Sequence, residues 1–197
     1  MKFLFSLLLM SLLAIGSTGP DLPKMKSIFN GKNLKHWVVP ENNVWWSVKD
    51  GILHVQSGPA QQGSILWTKK KFKNFVIQAD FKMGDGTVDS GIFMRSDHDQ
   101  IQIGISGSLK RDMTCSPYIP GKGYPVEAEG IAELLKVKGW NTIVVRAVDN
   151  KYTAWLNGTE VMNYTSETAT TEGPLGLQLH PKRDMSIQYK DIKVGNL

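Results

Sequence analysis

Apolar and polar positions alternate with a period of two through most of this chain, which marks it as β-structure. In residues 74–83, Phe75, Ile77, Ala79, Phe81 and Met83 share one face. Asn74, Gln78, Asp80 and Lys82 share the other, with Val76 the exception. Successive side chains on a strand point to opposite faces, so this run predicts a half-buried strand. Shorter strands are predicted over 44–48, 52–56 and 64–68, the first two joined at the hairpin signal Asp50-Gly51. Within 141–148, Ile143, Val145 and Ala147 share a face. Turns at Asp149-Asn150 and Asn157-Gly158 lead into 152–156 and 160–164, a three-strand meander. Strands over 175–179 and 185–194 close the pattern, and only 129–136 reads as a short helical turn. Many short strands with almost no helix predict an all-β fold, a sandwich of two antiparallel sheets.

The first residues break this pattern. Lys2 precedes an apolar run, 3–15, interrupted only by Ser6 and Ser11 and followed by Gly16. That is the form of a secretory leader, assigned here to 1–17, and the run is short of the ~20 residues a membrane span needs. The expected product is exported, periplasmic or secreted, with no stable membrane span after leader removal. A short segment, 18–27, then precedes a single domain, 28–197. The net charge of +5 falls to +4 without Lys2, and the basic residues are scattered apart from Lys69-Lys70-Lys71 and Lys73. Such a run reads as a solvated turn or strand end, so no nucleic-acid partner is expected. Cys115 is the single cysteine, which excludes an internal disulfide and leaves the fold to stand on its core. The pattern fixes no oligomeric state.

Eight short motifs carry a resemblance. Ile28-Phe29-Asn30-Gly31-Lys32-Asn33-Leu34 with Trp37 opens the domain, followed by Trp46-Ser47-Val48-Lys49-Asp50-Gly51-Ile52-Leu53. Asp89-Ser90-Gly91-Ile92-Phe93-Met94-Arg95 and Ile101-Gln102-Ile103 stand mid-chain. Gly139-Trp140-Asn141-Thr142, Trp155-Leu156-Asn157-Gly158, Gly173-Pro174-Leu175-Gly176-Leu177-Gln178-Leu179-His180 and Asp191-Ile192-Lys193-Val194 complete the set. In order and spacing, from about Ile28 to Leu197, they resemble the 3-keto-disaccharide hydrolase family, also described as 3-keto-glucoside 1,2-lyase and 3-keto-2-hydroxy-glucal hydratase. The resemblance implies a concanavalin-like jelly roll, export, and action on glycosides whose sugar carries a ketone at C3. One departure matters: the family often has a glutamate two positions before the Gln-Ile pair, and here that position is Gln100.

Strand parity points to a site. Gly176, Gln178 and His180 alternate with Leu175, Leu177 and Leu179, while Gln100, Gln102 and Gly104 alternate with Ile101, Ile103 and Ile105. Arg95 is expected on the face of Phe93 and Gly91. If these strands are neighbours, Arg95, Gln100, Gln102, Gln178 and His180 line one surface whose planar donors and acceptors suit a sugar. His180 is the candidate acid/base, and Arg95 the candidate holder of a keto or enolate oxygen. The long irregular stretch 106–129 offers Tyr124 as a binding residue, and Glu127 or Glu129 for the absent carboxylate, with Glu127 taken as catalytic. Asp97 and His98 are the candidates for a divalent metal ion, though no spacing here is diagnostic of one. The six tryptophans read first as core, and Trp45 and Trp46 point to opposite faces, so at most one is buried. Two functions fit: an enzyme that cleaves 3-keto-glycosides by elimination and hydration, or a carbohydrate-binding module without catalysis.

Overall fold

Alternation becomes architecture in a computed structural model that describes residues 19–197; the leader expected over 1–17 lies outside the described residues. The strands are β1 (Lys26–Ser27), β2 (Trp37–Val38), β3 (Trp46–Lys49), β4 (Ile52–Gln56), β5 (Ser64–Phe72), β6 (Phe75–Gly86) and β7 (Asp89–Met94). They continue with β8 (Gln100–Gly104), β9 (Pro117–Tyr118), β10 (Asn141–Val148), β11 (Lys151–Leu156), β12 (Thr159–Thr165), β13 (Gly173–Leu179) and β14 (Met185–Asn196). The expected helical turn is α1 (Ile131–Leu134). No described helix is long and apolar enough to cross a membrane.

Two antiparallel sheets form a jelly-roll sandwich. The eight-stranded sheet runs β12-β11-β10-β6-β14-β4-β3, with β1 also paired to β14. Lys26 and Ser27, read from the sequence as part of an N-terminal segment, are thereby tied into that sheet. The six-stranded sheet runs β2-β5-β13-β7-β8-β9. The core lies between the sheets. Phe75, Ile77, Ala79 and Phe81 of β6 face Leu66 of β5, Ile92 and Met94 of β7, Ile101 and Ile103 of β8 and Leu175, Leu177 and Leu179 of β13, all buried. Val76, the exception to the alternation, lies on the opposite face of its sheet in a small apolar patch with Val144 and Trp155. Cys115 is buried, and burial pushes its thiol well above the ordinary range, so it is no nucleophile at neutral pH.

Two polar links cross the core between the sheets. Ser90 on β7 gives its one proton to the Gln178 carbonyl, 2.6 Å away. The Tyr189 phenol on β14 must therefore be the donor in its 2.9 Å contact with Ser90 Oγ. At one end of the sandwich, Asp99 in the β7–β8 connection accepts from Tyr152 Oη of β11 at 3.0 Å, from Thr168 Oγ1 at 3.0 Å and from His98 Nδ1 at 2.9 Å. Burial alone would raise the Asp99 pKa. The hydrogen bonds from Ser166, His98, Thr168 and Tyr152 outweigh it and hold the carboxyl below its usual value.

The sign follows from linkage. A depressed carboxylate contributes stability that is present above the unfolded-state value, about 3.9, and is lost as pH falls through the folded value. Asp99→Asn is expected to lower the urea midpoint at pH 7 and to flatten the loss of stability below about pH 4. Identical acid limbs for the two proteins would show that the carboxylate is not the group being titrated.

Candidate active site

Pairing in the six-stranded sheet brings distant residues into a row. Trp67 on β5 stands opposite Gly176 on β13, Gly176 opposite Phe93 on β7, Phe93 opposite Gln100 on β8, and Gln100 opposite Tyr118 on β9. These positions share the outer face, because their chain neighbours Leu66, Leu175, Leu177, Ile92, Met94 and Ile101 point into the core. The adjacent row holds Gly91 opposite Gln102, and Gln178 follows Gly176 on the same face of β13.

Gly91 lets a long side chain lie down on this face. A Cβ at Gly91 would come within 2.1 Å of Gln100 Nε2 and 2.7 Å of the Ile101 carbonyl, so only glycine allows Gln100 to lie across β7. From there Gln100 Nε2 donates to Gln178 Oε1 at 2.7 Å. That bond leaves the Gln178 amide N–H groups and the Gln100 carbonyl oxygen for a ligand, a donor beside an acceptor.

Beside this pair, Gln100, Gln102, Gln178, His180 and Tyr124 border one hollow of about 450 Å³, within the range of small-molecule sites. Its centre is Asp89, buried at 2 % exposure. Asp89 Oδ1 accepts from Gln102 Nε2 at 2.9 Å and Oδ2 from Arg183 Nε at 3.2 Å, while His180 Nδ1 lies 3.8 Å from Oδ2. A buried carboxylate is costly unless its lone pairs are met, and these donors meet them. His180 Nδ1 lies 2.7 Å from the Pro181 carbonyl, which can only accept. Nδ1 therefore carries the proton of the neutral ring, and Nε2 keeps a free lone pair with no partner among the described residues. Tyr118 and Tyr124, ring centroids 5.3 Å apart, form the wall toward β9. Burial pushes the Tyr124 phenol above its ordinary value, so it stays a donor at neutral pH.

Two expected members lie elsewhere. Arg95 does not share the face of Phe93 and Gly91. β7 ends at Met94, and Arg95 has φ 68°, a left-handed conformation that breaks the alternation and turns the side chain inward. Its guanidinium is 1 % exposed and donates to the Lys73, Asp149 and Thr170 carbonyls at 2.7, 2.8 and 3.2 Å, over the Phe75 ring. Burial pulls the Arg95 pKa down, but the group has no route to the hollow. Glu127 is half exposed and forms a bidentate pair with Arg111 outside the hollow, which holds its carboxyl below the usual range. Glu129 is exposed and does not border the hollow either.

Asp97 and His98 make no ligand set. Asp97 is exposed, and His98 Nδ1 is taken by Asp99. Among the described residues no three His, Cys, Asp or Glu side chains converge as they would to hold a metal ion. The residues that sequence reasoning missed are Asp89 and Arg183. Asp89 had a signal: it stands two and four positions before Gly91 and Phe93, on the same face. Arg183, in the turn after β13, had none.

A two-sheet jelly roll with a polar hollow on the outer face of one sheet defines the class of protein. The chain belongs to the 3-keto-alpha-glucoside-1,2-lyase-like domain family, whose sequence profile matches residues 24–195. Membership assigns it to carbohydrate chemistry. No curated protein matches its sequence. Among solved structures it is similar to a Parabacteroides distasonis ATCC 8503 protein provisionally named a glycosyl hydrolase, with 21 % identity, 88 % of this chain and 100 % of that chain covered, and a TM-score of 0.64. It is similar in fold to the carbohydrate-binding module CBM66 from Bacillus subtilis (14 % identity, 83 % and 98 % covered, TM-score 0.54). A Bacillus subtilis protein of galectin-like fold is also similar (12 % identity, 91 % and 97 % covered, TM-score 0.60). At these identities the likeness is one of fold alone.

If the hollow depends on the Gln100–Gln178 pair, Gly91→Ala is expected to force Gln100 off Gln178. The predicted cost is about 2 kcal/mol in urea melts, together with weaker glucoside affinity by calorimetry. A variant with wild-type stability and affinity would remove the Gln100–Gln178 pair from the site.

Proposed function

We propose that this chain cleaves the glycosidic bond of 3-keto-glycosides by elimination followed by hydration, and that the hollow around Asp89 is where it does so. The observation that carries the reading is the convergence of His180, Arg183 and Asp89 beside the two glutamines, in a chain of this family. A ketone at C3 acidifies the proton at C2. His180 Nε2 takes that proton, and the electron pair moves to the C3 oxygen as an enolate. Arg183, held at Nε by Asp89, offers its Nη groups to that oxygen. The enolate then collapses: the C3 carbonyl re-forms, a C1–C2 double bond appears, and the C1–oxygen bond breaks. His180 returns its proton to the departing oxygen. In the second half His180 takes a proton from water as its oxygen bonds to C1, Arg183 again holds the enolate, and C2 is protonated. The sum is hydrolysis, with the imidazole regenerated.

In this scheme Asp89 is a positioning residue: both its oxygens are engaged by protein donors. Gln100, Gln178 and Tyr124 orient the hydroxyls. Arg95 and Glu127, the sequence-based candidates for the oxyanion holder and the carboxylate, have no part in it. No step is routed through a metal ion; a divalent cation remains compatible with the chemistry, and the assay below includes a chelator.

The test uses a chromogenic 3-keto-glucoside and its unoxidised parent, each with and without chelator. Release is expected from the 3-keto compound only. His180→Ala and Arg183→Ala are expected to slow it by at least about 100-fold, and Glu127→Gln to leave it within twofold of wild type. Equal release from the unoxidised glucoside would contradict the elimination. Sugar binding with no release under either condition would make the chain a carbohydrate-binding module, the reading favoured by the lack of an unengaged carboxylate in the hollow.

A further inference from the structure

A second hollow, about 470 Å³, adjoins the first across Gln178 and Pro181, which line both. Its composition is different. Trp45, Trp67, Ile65, Pro40 and Pro181 make apolar walls, and the polar side chains on it are Glu41, Ser64 and Gln178. Ser64 is buried, with its Oγ bonded by Trp46 Nε1 at 2.8 Å, and Gln178 is joined to Gln100. Besides these, Glu41 and the indole N–H groups of Trp45 and Trp67 supply the remaining polar groups of this hollow.

Trp67 is built in as a platform. A Cβ at Gly176 would lie 2.6 and 2.7 Å from Cζ3 and Cε3 of the indole, so the six-membered ring covers the glycine directly and lies across β13. Phe93 steadies it from the side, ring centroids 5.7 Å apart and planes tilted by 34°. One face of the indole is thus spent on the sheet, while the residue stays half-buried on the wall of the hollow. Trp45 stands on the same hollow, whereas its neighbour Trp46 is in the core.

We infer that this second hollow receives the leaving group of the glycoside, and that it selects a flat aromatic aglycone over a second sugar. The inference rests on the proposed function only in placing the glucosyl ring in the Asp89 hollow. A pyranose on Trp67 would bring several hydroxyls, each both donor and acceptor, into a hollow whose polar groups beyond Gln178 are Glu41 and two indole N–H donors, and each unmet hydroxyl carries a desolvation cost. An aryl ring brings none and stacks on the indole. Gln178, at the junction of the two hollows, marks where the scissile bond lies.

Cleavage rates confuse this question, because phenols leave faster than sugars whatever the protein does. Binding of intact ligands separates the two. Phenyl 1-thioglucoside, cellobiose and methyl glucoside lack the C3 ketone, and their dissociation constants are measured by calorimetry and by quenching of tryptophan fluorescence. Phenyl thioglucoside is expected to bind about tenfold more tightly than the other two. Trp67→Ala is expected to abolish that advantage and Trp67→Phe to restore part of it, with methyl glucoside affinity the same in all three proteins as proof that the first hollow is intact. Cellobiose binding as tightly as the phenyl ligand, or an undiminished phenyl advantage in Trp67→Ala, overturns the inference. If 3-keto-glucosides are not turned over while the phenyl preference persists and depends on Trp67, the proposed reaction fails and the aromatic subsite stands.

Discussion

Burial of leucine, isoleucine and methionine on the inner faces of β13, β7 and β8 decides which side chains can reach the outer face of the six-stranded sheet. Leu175, Leu177, Leu179, Ile92, Met94, Ile101 and Ile103 are each at most 1 % exposed. A slip of one residue in any of these strands would turn its apolar set into water and its polar set into the core. The Ser90–Tyr189 contact adds a directional constraint to the apolar one, since it joins β7 to the opposite sheet directly beneath Gln178. The register is thereby fixed, and with it the row that runs from Trp67 to Tyr118.

The charged centre of the site obeys the same economy of satisfied groups. Asp89 is buried at the start of β7, where an unpaired carboxylate would be strongly destabilising. Its partners are Gln102 and Arg183, with His180 close by. The groups that make the carboxylate tolerable are thus the groups that face a ligand, and stability and function draw on one network. At the other end of the sandwich, Asp99 and Arg95 form a polar cluster with carbonyl, hydroxyl and imidazole partners and no share in the hollow.

Parity made much of this legible in the sequence. It placed Gln100, Gln102, Gln178 and His180 on one surface because regular strands carry a period of two and both faces of these strands differ sharply in polarity. Arg95 escaped the same rule: a single left-handed residue past the strand end reverses the direction of the side chain, and no composition signal announces it. Asp89 opens β7 on the face of Gly91 and Phe93, the part of the strand that parity was not applied to. Glu127 sits in a stretch with no period at all, where proximity to the site cannot be read from spacing, and its partner Arg111 gave no sign of the pairing. Trp67 was read with the other tryptophans as core. Its distinguishing mark is the glycine opposite it on β13, which shows only once the strand pairing is known.

The account turns on a proton leaving C2 of a bound 3-keto sugar for His180. That event is visible without bond cleavage: 3-keto-glucose in deuterated water exchanges its C2 hydrogen whenever the enolate forms, and proton NMR follows the loss of the signal. The account predicts protein-dependent exchange that Arg183→Ala weakens and His180→Ala reduces to the rate without protein. Exchange at the wild-type rate in His180→Ala, or none above background in the wild type under conditions where the sugar binds, would contradict it.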